Sequence, residues 1–376
     1  MEKENPFVLS VYTGPKYFCD RVQESRKVID AIKNRRNLTL ISHRRMGKSG
    51  LIKHVFHQLR NEKGLKLFYI DIMDTADLSG FVDLMAKEII GKVDSRSMRL
   101  IKKFAEIVKS LRPKISIDTM TGNPEIEISV QHDVAPEQSL SEIFSYLQKQ
   151  EKQVIIAFDE FQQITAYPEK NTEALLRKNI QQLSHTNFIF SGSQKHLLLS
   201  MFSDYGRPFY QSSELLSLGK IDKETYKMFI LDGFKKSKRN IDQTALELIM
   251  RYTQIHTFYV QYLSNKLYGL PFKNISGETV TDTLLNILDE NEVVYYNYKK
   301  LLTSLQFRFL EAVAKEGSVS KPTSKDFIGK YRLGTPSSVK TALTALINKE
   351  MVYQDENKIK VYDVFFAKWL ERRNSP

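Results

Sequence analysis

The apolar and polar positions alternate in two registers along this chain. Leu38–His43, Leu65–Ile72, Val154–Asp159, Phe188–Ser193 and Leu215–Leu218 read as strands, with helical stretches between most of them. Strands separated by helices predict an α/β sheet with parallel strands. One interruption, Pro113–Val130, consists of two alternating segments around Thr-Gly-Asn-Pro and predicts a β-hairpin inserted into the connections of the sheet. Such a hairpin is either a partner contact or a plain solvent-facing ribbon.

Beyond Lys220 the pattern becomes helical. Ala245–Thr253 and Phe258–Tyr268 carry helical periodicity, and Gly269–Gly277 reads as a linker. The tail predicts a winged helix: helices at Leu302–Lys315 and Ser324–Tyr331, then a third beginning with Thr335 as N-cap and Pro336 at its first position. Met351–Gln354 and Lys358–Tyr362 flank Asp355-Glu-Asn as a hairpin wing, and Val364–Arg372 is amphipathic with Trp369 inward. Three domains result: residues 1–219 as core, 220–275 as a helical lid and 276–376 as the winged helix.

With 376 residues the chain has ample material for more than one core. No stretch approaches the length of a membrane span, and the start Met1-Glu-Lys-Glu-Asn-Pro lacks a signal-peptide pattern, so a soluble cytoplasmic protein is expected. The single cysteine, Cys19, cannot form an internal disulfide and is expected to pack. His54 and His57 lack sulfur or acidic companions and are expected on a helix surface, with no transition metal assigned. The formal charge of +12 permits a nucleic-acid partner without requiring one. Lys223, Lys227, Lys235, Lys236, Lys238 and Arg239 form a basic cluster that reads first as a solvated helix face.

Two segments carry candidate chemistry. The run Leu38-Thr-Leu-Ile-Ser-His-Arg-Arg-Met-Gly-Lys-Ser-Gly-Leu-Ile52 predicts a buried strand turning through a phosphate-binding loop into a helix. Consecutive loop N–H groups from Ser42, His43, Arg44, Arg45, Met46 and Gly47 through Gly50, together with the positive end of the following helix, would converge on the β- and γ-phosphates. Lys48 would add a full charge, and Ser49 would ligate Mg²⁺. The loop departs from G-x-x-x-x-G-K-[ST] in having Ser42 at the first glycine position, where a serine has less conformational freedom. The second segment, Gln153-Val-Ile-Ile-Ala-Phe-Asp-Glu160, is an apolar run ending in two acids, as expected of a buried parallel strand delivering carboxylates at its C-terminal edge. Asp159 would hold Mg²⁺ through its water shell, and Glu160 would orient and deprotonate the attacking water.

Phe18-Cys-Asp-Arg-Val-Gln-Glu24, Arg44-Arg-Met-Gly-Lys-Ser49, Phe158-Asp-Glu-Phe-Gln162 and Phe190-Ser-Gly-Ser193 together resemble the archaeal-type ATPase family of prokaryotes, within the AAA+/STAND P-loop ATPases. The resemblance covers nearly the whole chain. It implies an AAA+-like parallel five-stranded core, a helical lid, a C-terminal winged helix and ATP or ADP as ligand with Mg²⁺. By the same resemblance Phe18 and Arg21 lie beside the adenine, although Cys19-Asp20 stands where a residue and a glycine are usual. Ser193 or Gln194 would sense the γ-phosphate. Arg207, in Asp204-Tyr-Gly-Arg-Pro-Phe-Tyr210, resembles an arginine segment whose side chain would stabilise transition-state charge, the alternative being a turn arginine paired with an acid. His256, in a lid segment where Ile255 and Thr257 replace the usual glycine and proline, is a candidate phosphate or base contact.

The function expected is MgATP hydrolysis as a conformational switch, with nucleotide between core and lid and the change passed to a protein partner or a neighbouring copy in a homo-oligomer. A nucleotide-sensing DNA-binding regulator with little turnover is the alternative, its third winged-helix helix presenting Lys340, Thr341, Thr344, Asn348 and Lys349. A kinase ranks last, since no acceptor pocket is visible.

Overall fold

In the computed structural model, residues 4–9, 12–92, 108, 110–117, 124–130, 134–355 and 357–373 are described. The chain forms two compact units, one from the described residues of Val11–Lys220 and the other from those of Met1–Ser10 and Ile221–Pro376.

The first unit is a five-stranded sheet with every pairing parallel, built from β1 (Leu38–Ile41), β2 (Leu65–Asp71), β5 (Gln153–Asp159), β6 (Thr186–Gly192) and β7 (Glu214–Ser217). The spatial order is β2-β5-β6-β1-β7. The five predicted strands are all present, their ends shifted by a residue or two. Between β2 and β5 the chain makes an antiparallel pair, β3 (Leu111–Ile117) with β4 (Pro124–Val130), in register from Leu111↔Val130 to Ile117↔Pro124. This is the inserted hairpin; residues 118–123, which include most of the predicted turn, lie outside the described residues.

Alternation of side chains along the strands divides the core into two layers. Val154, Ile156 and Phe158 of β5 join Phe188 and Phe190 of β6 and Phe68 and Ile70 of β2 in one cluster, against helices Leu78–Lys92, Pro136–Gln148, Thr172–Gln181 and Lys195–Ser203. Ile155 and Ala157 face the other way, into a cluster with Leu38, Leu40, Ile189 and helices Val22–Lys33 and Lys48–Leu59. The two-residue period therefore places Asp159 on the face of the helix that follows β1, while Phe158 anchors the opposite face.

The second unit is mainly helical. Helix Lys223–Lys236 is followed by β8 (Asn240–Ile241), helices Gln243–Thr253 and Thr257–Gly269, and β9 (Asn274–Ile275), which pairs with β8. The predicted linker thus contains a short strand. Helices Ser304–Glu316, Lys325–Tyr331 and Pro336–Asn348, the hairpin β10 (Val352–Asp355) with β11 (Lys358–Val361), and helix Val364–Arg372 complete a winged-helix array. Thr335 is the N-cap of its helix, accepting from the Ser338 amide, and Thr303 makes a capping box with Gln306. A bridge between Val319 and Ile359 adds a third short segment to the wing, and Trp369 is buried.

The basic cluster divides: Lys235, Lys236 and Lys238 are exposed, as expected of a solvated face, whereas Lys223, Lys227 and Arg239 are engaged within this unit. Lys227 is buried between Glu224 and Glu247, and Lys223 pairs with Glu247 at 2.6 Å. Arg239 donates to the carbonyls of Leu270 (2.9 Å), Phe272 (2.9 Å), Leu267 (3.3 Å) and Tyr268. It serves as a side-chain cap for the end of helix Thr257–Gly269. No described helix is long and apolar enough to cross a membrane.

Candidate nucleotide-binding site

Two local constructions build the site, both at the C-terminal edge of the parallel sheet. In the first, β1 ends at Ile41 and the chain loops through Ser42–Gly47 into helix Lys48–Leu59. Gly47 is the N-cap with φ +94°, a conformation that suits glycine, and Arg45 takes a left-handed φ of +64°. Ser42 is not among the positive-φ residues, so the loop closes without glycine at its first position. No side chain among the described residues caps the helix start, and the start of a helix favours an anion. Lys48 is only 6% exposed, and its Nζ donates to Ser42 Oγ at 3.2 Å and to the His43 carbonyl at 3.3 Å. Met46 is buried, whereas Arg44 and Arg45 are exposed.

In the second construction β5 delivers Asp159, 2% exposed, surrounded by donors. Ser191 Oγ donates to Asp159 Oδ1 at 2.6 Å and the Glu160 amide at 3.1 Å, while Ser49 Oγ and Tyr69 OH both donate to Oδ2. The strand-period argument is realised here: Ser49 from the loop helix and Asp159 from β5 touch. Tyr69 comes from the neighbouring edge strand, and the Lys53 ammonium stands 4.5 Å from its ring centroid. Burial, with the negative Asp159 beside it, pushes the Tyr69 phenol well above its ordinary range, so it remains a proton donor. Burial also raises the carboxyl of Asp71, the cross-strand neighbour of Asp159; the Met73 amide opposes the shift, and the charges of Asp159 and Glu160 add to it.

Glu160 follows in a left-handed conformation, φ +56°, which costs a non-glycine residue about 1 kcal/mol and turns the chain sharply into a 3-10 helix, Phe161–Ala166. Phe161 locks the turn by packing on Phe190, centroids 4.5 Å apart, and edge-on against Phe209 at 5.3 Å. Three donors meet on Glu160 Oε2: Gln162 Nε2 at 2.7 Å, Ser193 Oγ at 2.8 Å and the Ser193 amide at 2.9 Å.

The hydroxyl and carboxylate oxygens of Ser49 and Asp159 form a hard donor pair already in contact, beside the further acids Asp71 and Glu160. That set fits a small divalent cation that keeps part of its water shell. It has no sulfur and no imidazole of the kind that selects transition metals.

The remaining predicted residues are placed elsewhere. Arg21 is 3% exposed with a left-handed φ of +63°, and donates to Glu24 (2.8 Å), the Met46 carbonyl (3.1 Å) and the Gly219 carbonyl (2.8 Å). It ties the phosphate loop to the segment after β7. Phe18 stacks on His54, centroids 4.1 Å apart. His54 is buried, not on the helix surface as expected, because Phe18 covers it and both ring nitrogens are engaged, Nδ1 by Tyr12 OH (2.9 Å) and Nε2 by Gln58 (2.8 Å). Burial lowers its pKa. Cys19 is buried and its thiol is pushed up to about 12 by burial and by Asp20. Arg207 pairs with Glu173 at 2.5 Å, as in the turn-arginine alternative. His256 belongs to the other unit, where it is the buried N-cap residue of helix Thr257–Gly269 and lies edge-on to Tyr259.

Sequence reasoning missed Tyr69, Gln162 and the role of Ser191. For Tyr69 the signal lies in strand pairing, which residue order alone does not state. For Gln162 it was legible only as a letter of Asp-Glu-Phe-Gln.

A parallel sheet with its phosphate-loop strand separated from its acidic strand by one other strand, and with both constructions at one edge, defines a P-loop ATPase fold. Residues 18–261 match the family described as the ATPase domain predominantly from Archaea, and the chain belongs to that family. Residues 293–372 match a probable winged helix domain. Among solved structures, a Walker-type ATPase of Pyrococcus abyssi aligns at 18% identity over 97% of this chain and 99% of that one, with a TM-score of 0.66. The ORC2 protein of Aeropyrum pernix, solved as ADPNP-ADP complexes, aligns at 13% identity over 99% and 96%, with a TM-score of 0.59. At these identities the likeness establishes the fold. No curated protein matches the sequence.

Proposed function

We propose that this protein binds and hydrolyses MgATP and uses the difference between its ATP and ADP states as a conformational switch. The observation that carries the reading is the contact of Ser49 with Asp159, which brings loop and acidic strand to one place, with Glu160 following directly in sequence. The uncapped start of helix Lys48–Leu59 would receive the β- and γ-phosphates, with Lys48 turning its ammonium from Ser42 and His43 to the triphosphate. Ser49 and Asp159 would hold Mg²⁺, which when bound supplies charge neutralisation between the phosphates. Glu160 would take the proton of the attacking water through the carboxylate that Ser193 and Gln162 orient. Phe18 and Arg21 beside the adenine, Arg207 as the arginine that would stabilise transition-state charge, and His256 as a phosphate or base contact belong to this proposal. So does the division of residues 220–376 into a lid and a winged helix that respond to the nucleotide. A STAND-type switch and a nucleic-acid or protein partner for the winged helix belong to the same reading.

The test compares phosphate release and nucleotide affinity in wild type, Lys48→Ala and Glu160→Gln at saturating MgATP. Lys48→Ala should lose affinity. Glu160→Gln should bind normally and turn over about 10²- to 10⁴-fold more slowly. Equal turnover in the three proteins would sink the assignment.

A further inference from the structure

Gln162 is the one polar side chain of the acidic turn whose placement is costly and not yet accounted for. It is 5% exposed, and its Oε1 has no hydrogen-bond partner among the described residues. Burying an amide oxygen without a donor is unfavourable, so the side chain must be held there for what its other end does. That end, Nε2, donates to Glu160 Oε2 at 2.7 Å. The orientation of the amide follows from this bond, since the reversed amide would set a carbonyl oxygen against the carboxylate. The space for Oε1 comes from the neighbouring strand. Gly192, the last residue of β6, lies under the amide, and a Cβ built there would collide with Oε1 and stand 3.0 Å from Cδ. Gly192 is not in a positive-φ conformation, so backbone geometry does not require glycine at this position. The need for glycine arises from the close approach of Gln162.

Resting on the ATPase reading above, we infer that Gln162, seated against Gly192, is a positioning residue for hydrolysis: its side-chain amide and Ser193 together fix the rotamer of Glu160. All three donors meet on Oε2, and among the described residues no donor reaches Oε1, which is therefore left as the oxygen to accept the water's proton. A general base gains most when its lone pair is held at one angle to the reacting water. Ser193 supplies two of the donors, and Gln162, from the 3-10 turn, supplies the third. The hydrogen bonds that hold this arrangement run among Glu160, Gln162 and Ser193, so the effect is expected on the chemical step and not on nucleotide capture.

The test uses the full chain. Steady-state phosphate release, ATP affinity and thermal melting are measured for wild type, Glu160→Gln, Gln162→Met, which keeps length without a donor, and Gly192→Ala, which displaces the amide without changing its chemistry. The expected result is a fall in kcat of about ten- to a hundredfold in both Gln162→Met and Gly192→Ala, with KM for ATP and affinity unchanged. A wild-type kcat in those two variants, while Glu160→Gln is inactive, overturns this inference and leaves the ATPase reading standing. A rise in kcat overturns it as well, since Gln162 would then hold the base away from the attacking water. A change in KM alone, or loss of cooperative melting in both variants, assigns Gln162 to the pocket or to folding and likewise overturns it. Turnover insensitive to Glu160→Gln removes the base assignment, and this inference with it.

Discussion

Asp159 shows how the site handles a buried carboxylate. Four donors surround it, two on each oxygen, and three of them are hydroxyls on side chains from three different elements: Ser49, Tyr69 and Ser191. Under the proposed MgATP reading hydroxyls suit this site, because they can turn to present an oxygen lone pair to a cation in place of a proton. A fixed cationic partner would compete with the metal. Tyr69→Phe removes one donor and leaves the ring in place, so the expected loss is that of one hydrogen bond to a buried charge, about 1.5–3 kcal/mol. The loss should be largest without ligand and smaller with MgATP, where the metal satisfies the same oxygen. Differential scanning calorimetry of both proteins with and without MgATP checks this, and an equal deficit in both conditions would remove Asp159 from the metal site. Residue order disclosed Ser49, Asp159 and Glu160, since their spacing along the chain is itself the pattern. It left Tyr69 hidden, since the pairing of Asp71 with Asp159 that aligns β2 beside β5 is a tertiary fact.

Among elements, the strands were legible because each is a short apolar run closed by a polar turn, and because alternation within β5 assigns Phe158 and Asp159 to opposite faces. The winged helix was legible for a different reason, its caps: Thr335 with Pro336, and Ser324, which accepts from the Phe327 amide. Surface chemistry is the least legible part of the sequence. Nothing local announces that Phe18 and Tyr12 cover His54, which the sequence places on the helix surface. The solvated-face reading of the lysine cluster holds for the exposed Lys235, Lys236 and Lys238, but Lys227 is buried and, with Lys223, joins helix Lys223–Lys236 to Glu247 of helix Gln243–Thr253. The two ammonium groups hold the Glu247 carboxyl at about 2, below the usual 4.5. A carboxyl depressed in the folded state contributes stability that is complete above its unfolded pKa and is lost as pH falls through its folded one. The advantage of wild type over Glu247→Gln in thermal melts should therefore be constant above about pH 5.5, narrow through pH 4, and be nearly gone at pH 2. A pH-independent difference between the two proteins would mean that the ion pairs contribute nothing.

For the whole molecule, Ser42–Gly50, Asp159, Glu160 and Ser193 all belong to the unit Val11–Lys220, whereas the winged helix belongs to the other. A switch therefore requires that ATP and ADP differ in what they do to residues outside the unit that holds the phosphate loop. Tight binding by itself is insufficient, because a ligand shifts a conformational equilibrium only by its differential affinity for the two states. Amide hydrogen exchange on Glu160→Gln, which should hold ATP without consuming it, separates the cases. Both nucleotides should slow exchange in residues 42–52 and 159–163. Under the switch reading, ATP and ADP should also differ from each other in residues 221–376, by about tenfold in rate for a coupling of roughly 1.4 kcal/mol. If protection stops at residue 220 with both nucleotides, the protein is a nucleotide-binding module without transmission. The regulator alternative is then tested by gel shift on duplex DNA. Loss of binding in Lys340→Ala and Lys349→Ala, with the salt slope falling by about one for each phosphate contact removed, would select it over a protein partner.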